Sequence, residues 1–304
     1  MTESSAATST AAPTARLVVQ AVLRTDVGKV RSENQDFGMY TSPAEELGSH
    51  AGGRLLVVAD GMGGHRGGAT ASRLATETLK AHYLTSPTGD VPSALRDAVT
   101  LANAKVYSEA QTNPDLRGMG TTTSALVIRG GQGWFAHVGD SRIYLVRGDA
   151  VKQLTEDHSL VATMVREGLL TAQEAENHPR RNVLQRSIGV SEEVEIDIRG
   201  PMELHEGDTF VLCSDGLHGV VKEDEIKEVA KLPIQQAANE LIKLALERGA
   251  PDNVTVIVAR MVRADQLGED TLGDESESDR GLFDDTVKDH EIPGLTAATE
   301  RPTR

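Results

Sequence analysis

Apolar positions along the chain fall into two kinds of pattern. Short runs rich in β-branched residues and closed by Gly or Asp recur as LVVQAVLRTD (17–26), GRLLVVAD (53–60), TTTSALVIRG (121–130), GWFAHVGD (133–140), RIYLVRGD (142–149), DTFVLCSD (208–215) and NVTVIVARMV (253–262). Each predicts a strand. Between them, apolar residues return at helical spacing. Ala71, Leu74, Leu79 and Tyr83 share a face over 69–84. Leu95, Val99, Ala102 and Val106 do so over 92–110, a stretch opened by Pro92 and Ser93. Ile234, Ala238, Leu241, Leu244 and Ala245 do so over 234–249, where Gly249 stops the helix. Many strands, few helices in blocks and tight Gly-Asp turns predict an α+β domain of antiparallel sheets with helices packed outside. Gly139-Asp140 and Gly148-Asp149 both read as hairpin turns.

Both patterns fade at the ends. Residues 1–15 are small and polar with nothing to bury, and read as a disordered lead-in. Residues 264–304 read as an acidic disordered tail: from Asp265 to Arg304, 12 acids face 4 bases, about −8 of the formal −15. Residues 16–263 form one domain, without repeat or linker. The negative balance argues against nucleic acid as a partner, because that affinity rests on cationic contacts. No apolar run approaches the ~18 residues that span a bilayer, and the N-terminus lacks the features of a secretory signal. The single cysteine, Cys213, cannot form an internal disulfide, reads as a small buried hydrophobe and fits a reducing compartment. The expectation is a cytoplasmic monomer with no membrane partner.

The acids at strand ends change this picture. Asp60 and Asp215 each close an apolar run and are followed by Gly; Asp140 closes another; Asp252 precedes a strand; Asp36 follows Arg31 in RSENQD. Any single Asp-Gly is more often a turn than a ligand. After Asp60, however, the next element reads as a helix, and after Asp215 LHGVVKEDEI is no returning strand. Several such carboxylates brought together make an oxygen site suited to Mg²⁺ or Mn²⁺, whereas the His and Cys spacings of zinc sites do not occur. There is no G-x-x-x-x-G-K-[ST], and in GMGGHRGG Arg66 stands where a dinucleotide loop needs its third glycine.

Taken together, RSENQD, VVADGMGGHRGG, GMGTTTSALVI, HVGDSRIYLVR, EDHSLV, NVLQRSIG, LCSDGL and PDNVTVIV resemble the metal-dependent protein phosphatases of the PPM, or 2C, type, in the order and spacing of bacterial members, over about residues 20–262. That resemblance implies two stacked antiparallel sheets flanked by helices on both outer faces, with a metal cleft at one end. It also implies hydrolysis of phosphoserine and phosphothreonine in proteins, opposing a Ser/Thr kinase, with Mn²⁺ or Mg²⁺ as cofactor. Carried over residue by residue, Asp60 would bridge two metals and the carbonyl of Gly61 would join the second. Asp215 and Asp252 would complete the first, and Asp36 would hold metal-bound water. Asp140, with Asp215 shared, would bind a third, weaker metal. Arg31 would grip the substrate phosphate, which its planar fork suits better than a lysine would.

Two positions depart from the wider family. Met62 stands where many eukaryotic members have His, so His65 or a water on the third metal is left as candidate proton donor. Gln35 stands where some members have Glu. Residues 155–187 correspond to the flap beside the cleft. They hold His158, His178, Arg180, Arg181 and Arg186, of which His178 and Arg181 are the candidates for contact with an anionic phosphopeptide. The competing reading is a catalytically silent member that only binds phosphoproteins or partners. Such a member should have lost metal acids, and all five are present.

Overall fold

The computed structural model describes residues 16–49, 52–63 and 67–266. The lead-in expected for 1–15, the proton-donor candidate His65 and nearly all of the expected acidic tail lie outside the described residues. The chain divides into a unit ending at Arg263 and a second, Ala264–Arg304, of which only a 3₁₀ turn at Ala264–Gln266 is described.

The first unit opens with β1 (Leu17–Asp26), β2 (Asp36–Tyr40), α1 (Pro43–Leu47), β3 (Arg54–Met62), α2 (Gly67–Thr85) and α3 (Val91–Thr112). β4 (Gly120–Thr121), β5 (Thr123–Arg129), β6 (Gln132–Val138), β7 (Arg142–Arg147) and β8 (Ala150–Gln153) follow, then α4 (Leu160–Arg166) and α5 (Ala172–Glu176). It closes with β9 (Asp197–Glu203), β10 (Thr209–Cys213), α6 (Asp215–His218), α7 (Glu223–Val229), α8 (Ile234–Glu247) and β11 (Val254–Arg263). One sheet has the order β1-β11-β10-β7-β8 and the other β2-β3-β5-β6-β9, with β4 paired to β3. All of the pairings are antiparallel.

Burial sorts the apolar residues into three layers. Leu56, Val58, Leu126 and Phe135 of one sheet meet Ile143, Phe210, Leu212 and Ile257 of the other in the central layer. On the outer face of the β3 sheet, Leu55, Val57 and Val127 pack against Leu79, Tyr83, Leu95 and Val99 of α2 and α3. On the outer face of the other sheet, Val211, Val256 and Val258 pack against Ile226, Ala238, Leu241 and Ala245 of α7 and α8. The central strands are therefore buried on both faces, and so their sequences run apolar without the alternation of a half-exposed strand. Each fully buried side chain of this size contributes about 1.5–3 kcal/mol. The expected two-sheet sandwich flanked by helices is the observed architecture.

The helices begin and end for local reasons. Asp90 caps α3 by accepting from the Ser93 N–H at 3.0 Å, with Pro92 in the first turn, where no amide donor is needed. α8 stops at Gly249, whose φ of +97° suits glycine. The strand expected over 121–130 is split at Thr122, because that residue's N–H and hydroxyl turn to the backbone of Asp60.

The reading of Gly139-Asp140 as a hairpin turn is corrected. β6 and β7 belong to different sheets, so these residues form a crossover from one layer to the other. Gly148-Asp149 does close the β7–β8 hairpin, where Arg147 faces Ala150. The sequence pattern missed β2, β8 and β9. β9 carries Gly200 and Pro201 with mostly exposed residues at the sheet edge, where glycine and proline are tolerated.

Candidate active site

Strand register gathers the acids at one end of the sandwich. β3 ends where β2 begins, so Asp60 lies directly opposite Asp36. β10 ends where β11 begins, with Cys213 opposite Val256, which sets Asp215 and Asp252 just beyond the paired region. β7 starts opposite Cys213, so the crossover carrying Asp140 arrives at the same end. β1 finishes opposite the first residue of β11 and leads into the loop that carries Arg31. Five carboxylates scattered over more than two hundred residues thus meet because antiparallel strands put their alternate ends on one rim.

Each acid is held by its neighbours. The N–H of Asp60 donates to Thr122 Oγ1 at 2.9 Å, and its carbonyl accepts from Thr121 Oγ1 at 2.8 Å and from the Thr122 N–H at 2.9 Å. Asp36 accepts from Ser214 Oγ at 2.7 Å through Oδ2, while its buried Oδ1 has no partner among the described residues. Asp215 opens α6, and its Oδ1 is likewise buried without a partner among the described residues. The carbonyl of Asp140 accepts from His218 Nε2 at 3.0 Å. Asp252 accepts from Arg31 at 2.7 Å.

Gly61 and Gly68 mark a close backbone approach. A Cβ on Gly61 would stand 2.1 Å from the Gly68 carbonyl, and one on Gly68 would stand 2.8 Å from the Gly61 carbonyl. Only glycine allows the head of α2 to sit against the end of β3 in this way. Gln35 joins them: its carbonyl accepts from the Gly61 N–H at 3.1 Å and from Ser72 Oγ at 2.6 Å.

The carboxylates perturb one another strongly. Burial pushes Asp36 up to about 7, with Asp215 and Asp252 adding to the rise. Burial and then repulsion from Asp215 push Asp140 up to about 8. Asp60 is held well above the ordinary range by burial and by Asp36, Asp215, Asp140 and Asp252. Asp215 is raised by burial and by Asp252, against which Arg31 and Arg181 act. Such crowding of like charge with unpartnered carboxylate oxygens calls for a cation. Hard oxygen donors of this kind fit Mn²⁺ or Mg²⁺. Among the described residues no three His, Cys, Asp or Glu side chains are already drawn in as a closed ligand set; Asp252 is turned to Arg31 instead.

The flap residues separate. His158 is buried: its Nδ1 accepts from the Gly139 N–H at 3.1 Å, and its own N–H donates to the Gly139 carbonyl at 2.7 Å. Arg186 pairs with Glu195 at 2.9 Å and with Asp197 at 3.2 Å. Neither is a free surface group, which removes both from the cationic set read from the sequence. His178 accepts from the Arg180 N–H in a local turn. Arg181 is exposed and within electrostatic reach of Asp215.

Sequence reasoning missed Asn253, Ser214, Thr121 and Thr122. Each holds a backbone segment or a carboxylate, and in the sequence each reads as an ordinary polar neighbour of an acid. Cys213 is fully buried with its thiol pushed up to about 12 by burial, as its reading as a small hydrophobe requires.

An α-β-β-α sandwich with an acid-lined rim defines a recognisable class. The family model for protein phosphatase 2C matches residues 32–253, and the chain belongs to that family. It is 39% identical over 251 residues to the serine/threonine protein phosphatase PstP of Mycobacterium tuberculosis, covering 82% of this chain but 46% of that protein. The chain thus spans about half the length of that relative. It is 36% identical to protein phosphatase PhpP of Streptococcus pneumoniae, covering 80% of this chain and 98% of the relative. The solved M. tuberculosis phosphatase structure superposes with a TM-score of 0.71 at 39% identity, covering 81% of this chain and 99% of that one. A structure of the PstP catalytic domain in complex with two manganese ions matches with a TM-score of 0.69, at the same identity and coverage.

Proposed function

We propose that this protein hydrolyses phosphoserine and phosphothreonine in proteins, and so opposes a Ser/Thr kinase. The observation that carries the proposal is the convergence of Asp36, Asp60, Asp140, Asp215 and Asp252 from five separate segments onto one rim, with buried oxygens of Asp36 and Asp215 unpartnered. The names of relatives that match nearly end to end support it.

Asp60, the Gly61 carbonyl, Asp215 and Asp252 would hold two Mn²⁺ or Mg²⁺ ions, with Asp36 placed to accept from a water in the site and Asp140 available to a third. When bound, the ions supply a nucleophilic water near neutral pH and neutralise charge on the phosphoryl oxygens. The chain's own part is orientation. The Thr121–Thr122 clamp fixes Asp60, Ser214 fixes Asp36, and Arg31 presents a guanidinium to the phosphoryl oxygens of the substrate. Arg31, paired with Asp252 at 2.7 Å in this structure, would exchange that carboxylate for the substrate's phosphoryl oxygens. Arg181, the exposed flap cation near Asp215, would meet the flanking phosphopeptide. The side chain of His178 is engaged in its local turn and is the weaker of the two candidates. The single buried cysteine suits a reducing cytoplasm; among the described residues no helix is long and apolar enough to cross a membrane.

The test is p-nitrophenyl phosphate and phosphopeptide hydrolysis with Mn²⁺, Mg²⁺ or EDTA, beside Asp60→Asn. Metal-dependent turnover that disappears in EDTA and falls at least about a thousandfold in the variant is expected. A folded wild-type protein with no turnover under any metal would overturn the proposal and favour the binding-module reading.

A further inference from the structure

Residues 27–35 leave the end of β1, carry Arg31 and return to β2. They do not anchor themselves by burying apolar side chains, since Val27 is 37% and Val30 71% exposed. One side chain from the far end of the sequence ties the two ends of the loop to each other. Asn253 is buried, and its Nδ2 donates to the carbonyls of Val27 at 2.8 Å and Glu33 at 3.0 Å. Its Oδ1 accepts from the Gln35 N–H at 2.8 Å. Both amide hydrogens and the carbonyl are thus spent on the two ends of a single loop. Beneath it, the Lys29 N–H donates to the Ala250 carbonyl at 3.0 Å. Gly28, with φ of +76°, lies so close to the 250–252 backbone that a Cβ there would stand 2.3 Å from the Asp252 carbonyl. Arg31, Ser32, Glu33, Gln35, Gly63 and Asn253 line a cavity of about 250 Å³.

We propose that Asn253 is a positioning residue whose carboxamide fixes the 27–35 loop so that Arg31 stands over the carboxylate cluster to receive the phosphoryl group. The inference rests on the phosphate-binding role given to Arg31 above. A loop whose two ends share one buried carboxamide loosens at both when those three bonds are lost, even though Lys29 and Asn34 keep their own bonds to Ala250 and Thr25. The guanidinium then has to be ordered by the anion itself, which weakens capture of phosphate more than turnover.

Asn253→Asp is the sharpest variant. The carboxylate keeps an acceptor for the Gln35 N–H but turns an oxygen on the carbonyls of Val27 and Glu33. Asn253→Ser, which removes the carboxamide without adding charge, serves if Asn253→Asp does not fold. In Mn²⁺-loaded protein, KM for p-nitrophenyl phosphate and the inhibition constant of inorganic phosphate should each rise about tenfold, as the loss of one to two hydrogen bonds implies. The turnover number and the Mn²⁺ affinity by calorimetry should stay within about threefold. In an Arg31→Ala background Asn253→Asp should add nothing further to the phosphate inhibition constant, because its effect runs through that guanidinium. Three results would overturn the inference: a fall in turnover with KM and phosphate inhibition unchanged, an equal loss of Mn²⁺ affinity, or full additivity with Arg31→Ala. A wild-type protein that binds phosphate by calorimetry but hydrolyses nothing would remove the proposed function. Phosphate affinity would then decide the role of Asn253 by itself.

Discussion

Asp36→Asn should stabilise the metal-free protein at alkaline pH. Asp36 is buried, accepts one hydrogen bond from Ser214 and leaves its other oxygen unpartnered, with Asp215 and Asp252 nearby. Burial first, and those acids next, move its midpoint from 3.8 to about 7. At 1.36 kcal/mol per pKa unit, ionising this group in the fold costs on the order of 4 kcal/mol. Because folding raises the midpoint, the native state keeps a proton that the unfolded chain has already released. The stability contributed is complete below about pH 4 and is lost as pH rises through about 7. Asparagine resembles the protonated acid and can still accept from Ser214. It also removes the largest charge acting on Asp60.

Urea unfolding followed by far-UV circular dichroism in EDTA would measure this at pH 5, 7 and 8.5. Wild type should lose stability across the range, and Asp36→Asn should lose less, ending about 3 kcal/mol more stable at pH 8.5 if the two are nearly equal at pH 5. Saturating Mn²⁺ should reverse the order, since an ion binding the folded site stabilises wild type by RT ln(1 + [L]/Kd). A variant less stable than wild type at pH 8.5 in EDTA would refute the reasoning, because Asp36 would then be a net stabilising charge without a cation.

Two further outcomes follow from packing and charge. Gly216→Ala would set a Cβ 1.9 Å from the Asn253 carbonyl, a backbone clash that no rotamer relieves; a loss of at least about 2 kcal/mol by calorimetry is expected, and an unchanged melting temperature would show that the α6 turn shifts freely. Asp157→Asn would leave the guanidinium of Arg142 without its bidentate partner, now at 2.7 and 2.9 Å, and should cost about 3 kcal/mol; a loss below about 0.5 kcal/mol in urea unfolding would show that Tyr144 and water suffice for Arg142.

The strands that carry the core were legible because the sandwich buries them on both faces. Val57, Val58, Leu212 and Ile257 sit in unbroken apolar runs that require a two-sided core. The edge strands were not, since β8 and β9 have little to bury and their pairing comes from the neighbouring strand. Asp60 and Asp215 stood out because no hairpin follows them. Asp140 was harder: Gly-Asp between two strands looks the same whether the chain turns back within a sheet or crosses to the other. The flap was misjudged for a related reason, as nothing local distinguishes buried His158 from surface His178.

The amino-acid pattern by itself determined the core strands, the long helices and the family, and singled out the acids proposed as ligands, because periodicity and turn chemistry are local and the motifs fall in a distinctive order. Only the tertiary structure decided which strand ends share a rim, that Thr121, Thr122 and Ser214 hold the acids, and that Asn253 reaches across more than two hundred residues to hold the Arg31 loop. Those depend on register and layer crossing. Register and crossing arise from cooperative burial of whole sheets, and no short stretch of sequence contains them.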